Sequence, residues 1–68
     1  MTVRVGVIGY GAIGKDLADA IAQGRAGDAA LAGVLVQRPR TPVSGLPLTS
    51  DPAAFFSEPM DVVFECAG

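Results

Sequence analysis

Gly9, Gly11 and Gly14 are the residues of this 68-residue chain whose type and spacing could do chemistry. They punctuate Gly9-Tyr10-Gly11-Ala12-Ile13-Gly14, the pattern G-x-G-x-x-G. Such a run cradles the pyrophosphate of a dinucleotide when it leaves a strand and opens a helix. Each glycine then has its own task. Gly9 permits the tight turn, Gly11 lets the pyrophosphate approach the backbone, and Gly14 lets helix and strand pack closely. The amides of Ala12 and Ile13, at the helix start, become donors for the phosphates. Without that context the alternative is a glycine-rich turn that serves packing alone.

A second pattern overlaps the first. Gly9 to Lys15 also spells G-x-x-x-x-G-K, the opening of a nucleoside-triphosphate loop. That loop needs Ser or Thr next, as a magnesium ligand, and this chain places Asp16 there. Lys15 is better read as solvated and paired with Asp19 one helical turn on.

Cofactor choice is usually set about 20 residues past the glycines, where an acid holds the ribose 2′-hydroxyl of NAD. Here Gln37 and Arg38 stand there, with Arg40, Thr41 and Ser44 in the following loop. A 2′-phosphate would meet no repulsion, and Arg38 or Arg40 could bind it through two hydrogen bonds. The residues favour NADP and leave mixed NAD/NADP use open. At the other end of the chain, Cys66, Ala67 and Gly68 are expected to line the nicotinamide end of the groove. Catalysis by Glu65 or Cys66 is disfavoured, because a thiol nucleophile needs a nearby base and the chain has no histidine. Cys66 reads as a small buried hydrophobe and Glu65 as a hydrogen-bonding anchor for a neighbouring segment.

These residues need a scaffold to position them. Val3 to Ile8 reads as a buried strand stopped by Gly9. A helix follows from Ala12 to Gln23, with an apolar stripe of Ile13, Leu17, Ala20, Ile21 and Gly24. Gly24 also reads as its C-terminal stop. A second buried strand spans Leu31 to Gln37, then a proline-rich loop spans Arg38 to Gly45. Leu46 to Thr49 reads as an edge strand, since Pro47 cannot donate to a ladder. Asp51 and Pro52 open a short helix to about Ser57, with Phe55 and Phe56 as core beneath it. Asp61 to Ala67 reads as a third long strand, central and beside the first. The expected parallel sheet has the order 3-2-1-4 and a switch point between the first and last strands.

Composition sets further bounds. Half of the residues are apolar and 18% are charged, which argues against disorder. A net charge of −2 argues against a nucleic-acid or anionic-membrane footprint. One cysteine and no histidine exclude an internal disulfide and a zinc site built from this chain. No apolar run approaches the roughly 20 residues of a membrane span, so a cytoplasmic protein is the expectation. The length lies below a usual domain of about 100–150 residues. The reading is therefore of a partial sheet, truncated after the fourth strand, with the substrate and catalytic domain absent.

The segment Val5-Gly6-Val7-Ile8-Gly9-Tyr10-Gly11-Ala12-Ile13-Gly14-Lys15, followed by Asp61-Val62-Val63-Phe64-Glu65-Cys66-Ala67-Gly68, resembles the N-terminal part of the L-aspartate dehydrogenase family. The homoserine dehydrogenase cofactor domain is similar but more distant. The resemblance implies a doubly wound Rossmann α/β fold. It implies NAD(P)-dependent oxidative deamination of L-aspartate to iminoaspartate, which can feed NAD biosynthesis. It also implies a homodimer whose second domain brings the substrate contacts and a catalytic histidine. On that basis this segment binds cofactor only, through Gly9, Gly11, Ala12, Ile13, Gly14, the region of Gln37 and Arg38, and Cys66, Ala67 and Gly68. The open alternative is a non-enzymatic dinucleotide-binding module complete at this length.

Overall fold

The computed structural model describes residues 2–39 and 45–67. Six elements follow in chain order: β1 (Val3–Ile8), α1 (Ala12–Ala22), β2 (Ala29–Leu35), β3 (Leu48–Thr49), α2 (Pro52–Ser57) and β4 (Val62–Glu65). The strands form one sheet of order β3-β2-β1-β4, and each neighbouring pair is parallel. The 3-2-1-4 order is the one expected from the sequence.

Alternation along β1 assigns its two faces. Val5 and Val7 are buried on one face with Val34 and Val36 of the β2 region, under Ala18 and Ile21 of α1. Gly6 faces the other way, where it meets Phe55 of α2. The two helices therefore lie on opposite faces, as a doubly wound sheet requires.

The α2 face is built on glycine. A Cβ added at Gly6 would overlap the Met60 sulfur and stand 2.8 Å from the Phe55 ring, and one at Gly33 would stand 3.3 Å from that ring. The bare backbone lets Phe55 lie directly on the sheet, where it is 1% exposed. Overpacking at such a position costs about 1–3 kcal/mol. Gly6→Val is expected to lower the denaturant midpoint of the intact protein by an amount in that range. An unchanged midpoint would contradict this close approach.

Several sequence expectations are corrected. The face of α1 that meets the sheet carries Gly14, Ala18 and Ile21, and Ile13 is 75% exposed. A stripe through Ile13 and one through Gly14 share Ile21, and periodicity alone favours the larger side chain. Close packing on the sheet selects the small ones. Strand β2 begins and ends two residues earlier than expected. Val3 donates to the Asp28 carbonyl at 2.8 Å, which brings Ala29 and Ala30 into register despite their weak strand preference. Strand β3 is shorter than expected, although the Pro47 carbonyl still accepts from Val34.

Strand β4 is shorter too, and it pairs only with β1 among the described residues. Its apolar residues Val62, Val63 and Phe64 are consequently exposed rather than central. Phe56 is 60% exposed, packed edge-on to Phe55 rather than beneath the helix.

The helix ends match their sequence signals. The Asp51 carboxylate accepts from the Ala53 amide at 3.0 Å, with Pro52 at the first helical position. At the end of α1, Gly24 takes φ +76°, its amide donates to Ile21 and that of Arg25 donates to Ala20. That paired arrangement satisfies two otherwise open carbonyls.

Candidate dinucleotide cleft

The C-terminal end of β1 is where its two neighbours separate. Gly9 donates to the Leu35 carbonyl at 2.8 Å, on the β2 side. Cys66 donates to the Ile8 carbonyl at 2.7 Å, on the β4 side. Between them the chain turns into α1, and a cleft of about 690 Å³ opens above the strand ends. That size falls within the roughly 300–1,000 Å³ of small-ligand pockets.

The glycines of the turn differ in what surrounds them. Gly9 has φ +98°, a conformation that side chains rarely adopt. A Cβ there would also stand 2.8 Å from the Ala67 backbone. Gly14 lies against the Gly9 carbonyl, so a Cβ at Gly14 would overlap that oxygen. Gly11 is the opposite case: a Cβ there would meet nothing within 4 Å. No intramolecular contact demands glycine at Gly11.

The same turn supplies donors. The first turn of α1 is closed by the Lys15 amide, which donates to the Gly11 carbonyl at 2.8 Å. The amides of Ala12, Ile13 and Gly14 precede it and have no acceptor within the helix. Open amides and the helix dipole together favour an anion. The side chains add no charge, since the cleft is lined by Ile8, Tyr10, Leu35, Val36, Ser50 and Pro52 together with Gln37, Cys66 and three of the backbone-exposing small residues.

Of the residues singled out from sequence, Gly9, Gly11, Gln37, Cys66 and Ala67 line the cleft. Ala12, Ile13 and Gly14 stand at the helix start behind it and do not line it. Arg38 is exposed and outside the lining. Arg40, Thr41, Ser44 and Gly68 lie outside the described residues. Cys66 is half-buried rather than fully buried and packs against the main core. Glu65 accepts from the Ala67 amide at 2.5 Å, so it braces its own strand end rather than a neighbouring segment.

Lys15 is turned to Asp19, with Nζ 3.0 Å from the carboxylate. That hydrogen bond, reinforced by the charge of Asp19, holds the ammonium above the ordinary lysine range. The lysine is thus engaged along its own helix, as expected for a solvated pair.

Ser50 and Pro52 are cleft residues that sequence reasoning missed. They are far from the glycines in sequence and arrive through pairing of β3 with β2. No local signal marks such a residue. Among the described residues there is no cluster of three or more metal-ligating side chains, and no helix is long and apolar enough to cross a membrane.

The sheet order and the glycine turn at its switch point define a Rossmann-like α/β fold. No protein-family model matches this chain, and no curated protein matches it. Among solved structures it is similar to an engineered D-amino acid dehydrogenase crystallised with bound NADP+. The two share 28% identity with a TM-score of 0.73, over 100% of this chain and 21% of that one. The chain therefore spans about a fifth of its structural neighbour's length.

Proposed function

We propose that this chain is the cofactor-binding segment of an NAD(P)-dependent amino-acid dehydrogenase, with the pyrophosphate on the Gly9–Gly14 turn. The observation that carries this reading is Gly11, a glycine at the cleft that no intramolecular contact requires. The NADP+ held by the structural neighbour supports the cofactor class, and its action on amino acids supports the substrate class.

Within that class, the resemblance of the Val5–Lys15 and Asp61–Gly68 segments favours L-aspartate as substrate and iminoaspartate as product. The cofactor would accept the hydride from the substrate Cα, leaving the imine and a proton. This chain's own residues bind and orient the cofactor. Gly9, Gly11 and the amides of Ala12, Ile13 and Gly14 hold the phosphates, Gln37 and Arg38 meet the adenosine ribose, and Cys66, Ala67 and Gly68 border the nicotinamide. Substrate contacts and the proton-transferring group come from chain outside these residues, in a protein that acts as a homodimer.

The test is L-aspartate oxidation by the intact protein, followed as reduced cofactor at 340 nm with NADP+ and with NAD+. Turnover is expected with both. Because no acid stands at Gln37 or Arg38, NADPH is expected to bind at least as tightly as NADH. A roughly tenfold preference for NADH, about 1.4 kcal/mol, would contradict that assignment. Turnover of another amino acid with no turnover of aspartate would overturn the substrate.

A further inference from the structure

Among the described residues of α2 only Phe55 is buried, so one ring seats this helix on the sheet. That seat is shared with a sulfur. A Cβ built on Gly6 would meet two groups at once, the Met60 sulfur and the edge of the Phe55 ring. Sulfur and ring therefore converge over the same bare stretch of β1, a contact that methionine favours. Arg4 holds Met60 there from both sides. The Arg4 Nε donates to the Pro59 carbonyl at 2.7 Å, and the Arg4 amide donates to the Asp61 carboxylate at 2.8 Å. The Asp61 amide donates back to the Arg4 carbonyl at 2.8 Å. The backbone on either side of Met60 is thus fixed to β1, while Met60 itself is half-buried and open to small solutes.

This setting offers nothing to an oxygen on the sulfur. Phe55 presents a ring edge, and Gly6 lies in β1, which is paired with β2 on one side and β4 on the other. A sulfoxide oxygen there is either buried without a donor or turned to solvent, which pulls the sulfur off the ring. With the neighbouring backbone pinned, both outcomes fall on Phe55 and so on α2. That helix opens with Pro52, which together with Ser50 walls the cleft.

We propose that Met60 is a site of reversible oxidation by hydrogen peroxide, and that its sulfoxide loosens α2 and the cleft wall that α2 carries. The sulfur lone pair attacks one peroxide oxygen, the O–O bond breaks, and the other oxygen leaves with both protons as water. The thioether loses two electrons and the peroxide gains them. The effect on cofactor affinity rests on the dinucleotide reading above; the effect on α2 does not.

The experiment exposes the intact protein to hydrogen peroxide. It follows the Met60 peptide by mass spectrometry, the thermal midpoint, and NADPH binding by fluorescence. Met60 should gain one oxygen, the midpoint should fall by roughly 2–6 °C, and NADPH should bind about three- to tenfold more weakly. Methionine sulfoxide reductases should restore all three, whereas dithiothreitol, which reverses sulfenic acid or disulfide formation at Cys66, should restore none. Met60→Leu keeps the volume and removes the sulfur. It should match the untreated wild type and lose neither midpoint nor affinity on treatment. Met60 left unmodified overturns the inference, as does an oxidised Met60 with an unchanged midpoint or unchanged affinity. Equal losses in Met60→Leu and wild type overturn it too, since they then arise at another residue. Absence of NADPH binding in the untreated wild type overturns the cofactor reading alone, because the midpoint still tests Met60.

Discussion

Gly11→Val is expected to abolish dinucleotide binding while leaving the fold untouched. The residue has φ −77° and ψ −163°, extended backbone that valine adopts readily. A Cβ at Gly11 meets no protein atom within 4 Å, so valine disturbs no internal packing. Gly11 is the N-cap of α1, a position that disfavours valine, so stability should fall by about 1 kcal/mol, too little to unfold the protein. The branched side chain would occupy the space through which a pyrophosphate reaches the Ala12 and Ile13 amides. Losing both the approach and the charge-assisted hydrogen bonds should weaken NADPH about a hundredfold or more. Fluorescence titration beside a thermal melt separates the two effects. Unchanged affinity in a folded Gly11→Val protein would remove the glycine turn from the proposed function.

Gly14→Val should behave in the opposite way, losing stability first. Its Cβ would overlap the Gly9 carbonyl oxygen and stand 3.0 Å from the carbonyl carbon. Those are backbone atoms of a turn already anchored to β2 through the Leu35 carbonyl. Neither can swing aside as a flexible side chain would. The helix must lift from the sheet, which also loosens Ala18 and Ile21 from the core. Overpacking and lost burial together predict a loss of about 3 kcal/mol or more. Denaturant unfolding of the intact protein measures it, and wild-type stability would contradict the close approach at Gly14. The two glycines thus make a paired experiment: one removes binding from a sound fold, the other damages the fold that presents the site.

The glycine turn is legible in the sequence because its geometry is local. Gly9, Gly11 and Gly14 lie within six residues, and the flanking strand and helix each carry their own signals. The same holds for Asp51 and Pro52, whose cap needs no distant partner. Hydropathy points to the wrong face of α1 because it rewards bulk, whereas contact between a helix and a sheet rewards small residues such as Gly14 and Ala18. Phe55 and Phe56 are adjacent and chemically equal, so only the bare patch at Gly6 and Gly33 decides which one is buried. Ser50 and Pro52 were out of reach for another reason. Their place in the cleft depends on β3 pairing beside β2, and nothing in residues 46–52 states where that pairing leads.

The central claim is that the open amides after Gly11 bind the dinucleotide pyrophosphate. Amide chemical shifts of the isotope-labelled intact protein, followed through an NADP+ titration, test it most directly. Gly11, Ala12 and Ile13 should shift along one saturable isotherm, together with Gln37 and Ala67 and ahead of residues on the far side of the sheet such as Asp28. Saturating binding that leaves those amides unmoved, or no binding at millimolar NADP+ (a free energy weaker than about −4 kcal/mol), would contradict it.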